Sequence, residues 1–182
     1  MNQPDVFQAL REERNYQLRR WGVRQPDGTM HEQPHSISEF VVFMRDYYDK
    51  ATSSLTHSFS RLGSLTNLRK LVALGIACIE QHDRYIEAAV TMENVFETVR
   101  RAGRIVPVRF SDKTPTDFGT YLLKIRQELS DAEIKLGVMN KAAGLIIIKD
   151  IVHIGVECFE QFGVPSRGAI DLVTNARDCQ FA

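Results

Sequence analysis

The stretch Leu68-Arg69-Lys70-Leu71-Val72-Ala73-Leu74-Gly75-Ile76-Ala77-Cys78-Ile79-Glu80-Gln81 returns later in the chain as Ile148 to Gln161. At an offset of 80, Val72/Val152, Gly75/Gly155, Cys78/Cys158, Glu80/Glu160 and Gln81/Gln161 are identical. Most other pairs exchange one apolar residue for another. The helices before them also correspond: Met44-Arg45 matches Ile125-Arg126, and Ala51 matches Ala132. Self-similarity at a fixed spacing points to duplication of a structural unit. Gly75 and Gly155 would let a neighbouring helix approach closely, at some cost to local helix stability. Two such helical hairpins pack naturally into a four-helix core. The expected fold is all-α: one domain over 1–182, with a first hairpin at 36–83 and a second at 114–163.

Working outward, helical spacing persists. Asp5 to Arg20 carries Val6, Leu10 and Leu18 among charged residues and ends at Trp21-Gly22. Val23 to Pro34 is polar, with Pro26, Gly28 and Pro34, and reads as a loop. Ser36-x-x-Glu39 is a capping box ahead of a helix from about Ser38 to Ser54, with a broad apolar stripe. The next helix spans Leu65 to Gln81, and another Arg84 to Arg101 with Gly103 as C-cap. Ile105 to Phe110 is strand-like, but Pro107 makes it an extended loop. Thr114-Pro115-Thr116-Asp117 is a helix start. Helices are then expected at Asp117 to Gly137, Asn140 to Phe162 and Ser166 to Ala176.

Composition narrows the function. Among 182 residues, 23 Lys+Arg balance 23 Asp+Glu, so the net charge is zero. Nothing in that balance draws the whole protein to nucleic acid or an anionic membrane, although a local basic patch remains open. The cysteines Cys78, Cys158 and Cys179 are odd in number and lack a C-x-x-C pair. Disulfide frameworks and structural zinc are therefore not expected, and reduced thiols in the cytoplasm are. The start Met1-Asn2-Gln3-Pro4-Asp5 does not read as a signal peptide. The longest apolar run, Ala142 to Ile148, is too short to span a bilayer.

The acids are patterned. Asp46 and Asp49 stand at i, i+3 on one helix face, where two carboxylates can share a hard cation or simply meet water. Glu128 and Asp131 repeat that spacing. Asp150, His153 and Glu157 form a polar stripe on an otherwise apolar helix, which calls for a polar cavity or a partner charge. Glu39 reads as a capping residue before a ligand.

Glu13-Arg14-Asn15-Tyr16-Gln17-Leu18-Arg19-Arg20-Trp21-Gly22, then Met44-Arg45-Asp46-Tyr47-Tyr48-Asp49-Lys50-Ala51, then Leu68-Arg69-Lys70-Leu71-Val72-Ala73 with Glu80-Gln81-His82, occur in this order. In order and spacing they resemble the MazG-like all-α nucleoside triphosphate pyrophosphohydrolases. Those proteins show E-R-x-x-Q-x-x-x-W-G, E-x-x-E, E-x-x-D and L-R-K-V-A-A … E-Q-H-G. The likeness covers about 10–83, and the repeat extends a weaker version to about 167.

The resemblance implies hydrolysis of a (d)NTP to the monophosphate and pyrophosphate, with Mg2+ or Mn2+ neutralising the triphosphate and activating water. It implies Asp46, Asp49, Glu128, Asp131 and Asp150 as metal ligands, with Glu157 nearby. Glu128, Asp131 and Asp150 are the catalytic candidates. Gln17 and Trp21 are candidates for the base, and Arg20 for a phosphate. Asn67 and Lys70 stand where the family has its E-x-x-D acids, so an amide and a cation replace two carboxylates. That departure raises a second expectation: a catalytically inactive relative that binds a nucleotide or a protein partner, with Lys70 standing in for metal charge. A purely structural helical protein is the third. The expected assembly is a homo-oligomer or an intrachain pseudo-dimer. The neutral total would then conceal an acidic metal face beside a basic, phosphate-facing edge.

Overall fold

A computed structural model describes residues 3–82 and 117–165. The expected elements at Arg84–Arg101, Ile105–Phe110 and Ser166–Ala176, and the helix-start residues Thr114, Pro115 and Thr116, lie outside the described residues.

Five helices dominate: α1 (Gln3–Trp21), α2 (Ile37–Thr56), α3 (Arg61–His82), α4 (Phe118–Gly137) and α5 (Lys141–Phe162). The expected all-α class holds in this coarse sense. One small addition lies in the loop after α1, where β1 (Val23–Arg24) pairs antiparallel with β2 (Met30–His31). Two-residue strands carry no readable periodicity, which is why the sequence showed only a loop there.

The helix ends follow local chemistry. Ser36 caps α2, its side chain accepting from the Glu39 amide while the Glu39 carboxylate accepts from the Ser36 amide. Asp117 caps α4 through the Thr120 amide, and Asn140 caps α5 through the Ala143 amide. Helix α3 begins at Arg61, earlier than its apolar spacing suggested, because Ser60 supplies side-chain and backbone acceptors to the Gly63 and Ser64 amides.

Short turns fold α2 onto α3 and α4 onto α5, and the two hairpins meet mainly through α3 and α5. Their buried positions keep a constant register. Ile37, Phe40, Val41, Met44, Tyr48 and Ala51 of α2 each sit 81 residues before Phe118, Tyr121, Leu122, Ile125, Leu129 and Ala132 of α4. The buried positions of α5 repeat those of α3 at an offset of 80, for example Leu68/Ile148, Leu71/Ile151 and Ile79/Phe159.

The crossing is reciprocal. A Cβ at Gly75 would fall within 3.0 Å of Val152, and one at Gly155 within 3.0 Å of Val72. Each hairpin thus offers the same glycine to the same valine of the other. Because 72 meets 155 while 75 meets 152, α3 and α5 run antiparallel. The two inter-helix turns also correspond. Phe59 (φ 47°) and Met139 (φ 62°), again 80 apart, adopt left-handed backbone with bulky, exposed side chains.

Helix α1 packs on α3 through polar groups. The Arg69 guanidinium pairs with Glu13 at 2.7 Å, both buried, and also donates to the carbonyl of Pro165 beyond α5. α3 is long and apolar enough to cross a membrane by length and composition, yet 72% of its apolar window is buried within the fold.

Candidate functional site

A cavity of roughly 450 Å3 opens where the end of α1, the segment after β2, and helices α2 and α3 converge. Trp21, Phe40, Phe43 and Tyr47 give it an aromatic lining, closed at depth by Leu74. Glu32, Gln33 and His35 form one wall, and Asp46 stands on the α2 side. Trp21 is 45% exposed, so its ring is both part of the cavity and open to solvent.

Cations gather at the Tyr47 wall. The Lys50 ammonium lies 5.0 Å from the Tyr47 ring centroid, and the Lys70 ammonium 5.6 Å. Burial pushes the Lys70 ammonium below its ordinary pKa; Glu13 opposes that, while Arg69, Lys50 and Arg20 push the same way. Lys70, Lys50 and Arg20 therefore share one region and repel one another. Burial also raises the Tyr47 phenol, keeping it neutral beside the lysines. Asp46 answers Lys50 directly at 2.6 Å, an exposed i, i+4 pair.

The sequence-derived candidates divide accordingly. Trp21, Asp46 and Lys70 come together at or beside the cavity, with Arg20 close by and bonded to Tyr16 at 3.4 Å. Asp49 is exposed on α2. Asn67 lies apart, its amide donating to the Gly63 carbonyl at 3.0 Å and to Ser54. Gln17 needs correction as a base reader: it is 1% exposed, accepts from Arg14 and donates to the Lys70 carbonyl. Its amide braces α1 on α3, because a buried amide takes whatever partners the interior offers.

Glu128, Asp131 and Asp150 belong to the second hairpin. Burial raises Glu128 above the ordinary carboxylate range; Lys124, 3.5 Å away, opposes this, and Asp150 and Asp131 reinforce it. Burial likewise raises Asp150, opposed by His153 and Lys124. Glu128 of α4 and Asp150 of α5 are thus near enough to interact, and Lys124 acts on both. His153 meets Glu157 at 3.2 Å, and that hydrogen bond is the largest cause of its raised pKa. Among the described residues, no three His, Cys, Asp or Glu side chains are grouped so as to hold a metal ion.

The burial register corrects one correspondence. By like acids at like spacing, the sequence pairs Asp46 and Asp49 with Glu128 and Asp131. At the offset of 81 that all six buried positions obey, the equivalents of Glu128 and Asp131 are Tyr47 and Lys50. Lys70 is the equivalent of Asp150. The same three places therefore carry a phenol and two ammoniums in one hairpin and three carboxylates in the other. Spacing alone could not show this, because an i, i+3 pair looks unchanged after a one-residue slip.

Two sets of residues went unrecognised by sequence. One is the wall Glu32, Gln33 and His35, at and just beyond the end of the loop that the sequence indicates over 23–34. The other is Arg14, Glu80 and Gln81, which tie that wall to α3. Arg14, Glu80 and Gln81 all sit inside the quoted motifs, so the signal exists, but only the fold shows that the motifs touch.

No family model, curated protein or solved structure significantly matches the chain.

Proposed function

We propose that this protein binds a nucleotide in the aromatic cavity, as a MazG-like relative that meets the phosphates with lysine where the family uses metal. One observation carries the reading: an aromatic pocket of nucleotide-accommodating size has two lysines over its Tyr47 wall. Pockets of a few hundred Å3 with apolar walls and a few placed polar groups are the usual shape of small-molecule sites. Trp21, Phe43 and Tyr47 offer faces on which a base can stack, an interaction worth about 1–3 kcal/mol per base. Lys50 and Arg20 act against the Lys70 charge, and Asp46 and Glu13 answer the lysines only in part, so a phosphate beside Lys70 would relieve the remaining repulsion. Asn67 and Lys70 at the E-x-x-D positions agree with this charge exchange.

Calorimetry with a panel of NTPs and dNTPs in EDTA tests it. The expected result is saturable binding without metal, weakened about tenfold or more in Lys70→Met through loss of a charge-assisted contact. Absence of binding by every nucleotide under these conditions would overturn it.

A second reading has its own observation: the half-buried Glu128 of α4 feels the charge of Asp150 on α5 and of Asp131 one turn along α4. Under it, Glu128, Asp131 and Asp150 would hold Mg2+ or Mn2+ together with the substrate's phosphates, and water would hydrolyse a (d)NTP to monophosphate and pyrophosphate. Pyrophosphate release with either metal, lost in Asp131→Ala and Asp150→Ala, would favour it. On either reading, the equal burial registers and the reciprocal Gly–Val crossing support two copies of one hairpin forming a pseudo-dimer within the chain.

A further inference from the structure

The wall of the cavity is the least self-supporting part of the site. Residues 32–35 belong to no helix or strand, yet Glu32, Gln33 and His35 all face the cavity. Each of the three is bonded by a side chain from α1 or α3. Arg14, buried on α1, donates to both oxygens of Glu32 (2.8 and 3.2 Å) and to Glu80 of α3 at 2.7 Å. Gln81 spans the wall: its Oε1 accepts from the His35 amide at 3.1 Å, and its Nε2 donates to the Gln33 carbonyl at 3.4 Å. The His82 Nε2 lies 2.7 Å from the His35 carbonyl. The run Glu80-Gln81-His82 at the end of α3 is therefore a clasp whose successive side chains engage the clasped segment directly or through Arg14.

We propose that Gln81 is a positioning residue for the ligand cavity, holding residues 33–35 against the aromatic floor so that the wall fits the base-bearing end of the ligand. This rests on the nucleotide reading above. Gln81 does not line the cavity; it acts through the two backbone groups it holds, one as donor and one as acceptor. A glutamine suits that task because its amide offers both at one end of a neutral side chain. Lys50 and Lys70 stand at the Tyr47 ring on α2 and α3, whereas Gln81 holds the His35 amide and the Gln33 carbonyl, so the phosphate end should be indifferent to Gln81.

The second hairpin supplies an internal control. Gln161 is the equivalent of Gln81, but its Oε1 accepts from the Tyr121 hydroxyl at 2.9 Å, a tie between two side chains. Removing either glutamine removes hydrogen bonding at the same place in the fold. Only one of them removes the anchor of a cavity wall.

The experiment compares wild type, Gln81→Ala, Gln81→Glu and Gln161→Ala in EDTA. Calorimetry measures affinity for the tightest nucleotide of the panel and for inorganic tripolyphosphate, and amide exchange is followed at residues 33–35. Gln81→Ala is expected to weaken the nucleotide about tenfold, as loss of a satisfied hydrogen-bonding anchor does. It should leave tripolyphosphate unchanged and speed exchange at 33–35. Gln81→Glu keeps the acceptor for the His35 amide and loses the donor to Gln33, so it should fall between. Gln161→Ala should match wild type in all three readings. Equal loss of both ligands, unchanged nucleotide affinity in Gln81→Ala, or equal loss in Gln161→Ala would overturn the proposal. If wild type binds neither ligand, the nucleotide reading falls, and Gln81 is then no positioning residue for a ligand. Faster exchange in Gln81→Ala would in that case show only a structural clasp.

Discussion

The two hairpins share a core register but differ in charge at the polar positions beside it. Phe40 and Tyr121, Met44 and Ile125, Val72 and Val152 occupy matching places in the core. At the polar places between the helices, Tyr47, Lys50 and Lys70 stand against Glu128, Asp131 and Asp150. A core of this kind constrains shape and volume. It leaves free the sign of the charge at a half-buried position, provided some counter-charge or ligand answers it. One architecture therefore carries Tyr47, Lys50 and Lys70 in one hairpin and three carboxylates at the equivalent positions of the other.

The largest way to disturb this arrangement is to unclasp the first hairpin from α1. Glu13→Ala leaves the Arg69 guanidinium buried without its partner. Removing one member of such a pair costs about 3–5 kcal/mol, which chemical denaturation would read as a large fall in midpoint. The equality of the hairpins is tested next. Gly75→Ala and Gly155→Ala push a methyl into Val152 and Val72 respectively. Each is expected to cost about 1–3 kcal/mol by overpacking, and by similar amounts. Adding Val72→Ala to Gly155→Ala should recover part of the loss, while adding it to Gly75→Ala should not. Unequal costs, or recovery in both, would break the symmetry.

Smaller effects follow. Phe59 and Met139 hold left-handed backbone that glycine adopts without penalty. Phe59→Gly and Met139→Gly should each stabilise by about 0.5–1 kcal/mol, against glycine's greater entropy loss, as shown by a rise in Tm. The smallest effects contrast the charges. Burial lowers the Lys70 pKa, so its penalty disappears as pH rises through the folded value towards 10.5. Burial raises Glu128 and Asp150, so their penalty disappears as pH falls through their folded values towards the ordinary carboxylate range. Without ligand, Lys70→Met and Glu128→Gln should both slightly stabilise the protein at neutral pH. Denaturation across pH should then show Lys70→Met flattening the alkaline rise and Glu128→Gln the acid-side rise.

Much of the fold was legible because helix signals are local. The Ser36–Glu39 box, the stripes of α2 and α4 and the shared glycines needed no tertiary knowledge. The register between the hairpins was less legible, because Asp46 and Asp49 mimic Glu128 and Asp131 in spacing while facing elsewhere. Gln17 misled for a related reason: a helix residue inside a polar motif does not reveal that its face is buried. The cavity was the least legible part. Trp21, Gln33, Tyr47 and Leu74 come from four segments, and no pattern within any one of them announces the others.

On the proposed reading, the aromatic cavity of the first hairpin, with Lys50 and Lys70 beside its Tyr47 ring, holds the nucleotide without metal. Trp21 is the only tryptophan and lines that cavity, so its emission reports on the site directly. Titration of Trp21 emission with NTPs and dNTPs, in EDTA and then in Mg2+, should give a saturable change already in EDTA. That change should be abolished in Lys50→Ala/Lys70→Ala and retained in Asp131→Asn/Asp150→Asn. A change that appears only with Mg2+, survives loss of both lysines and vanishes with the two acids would contradict the account and move the site to the second hairpin.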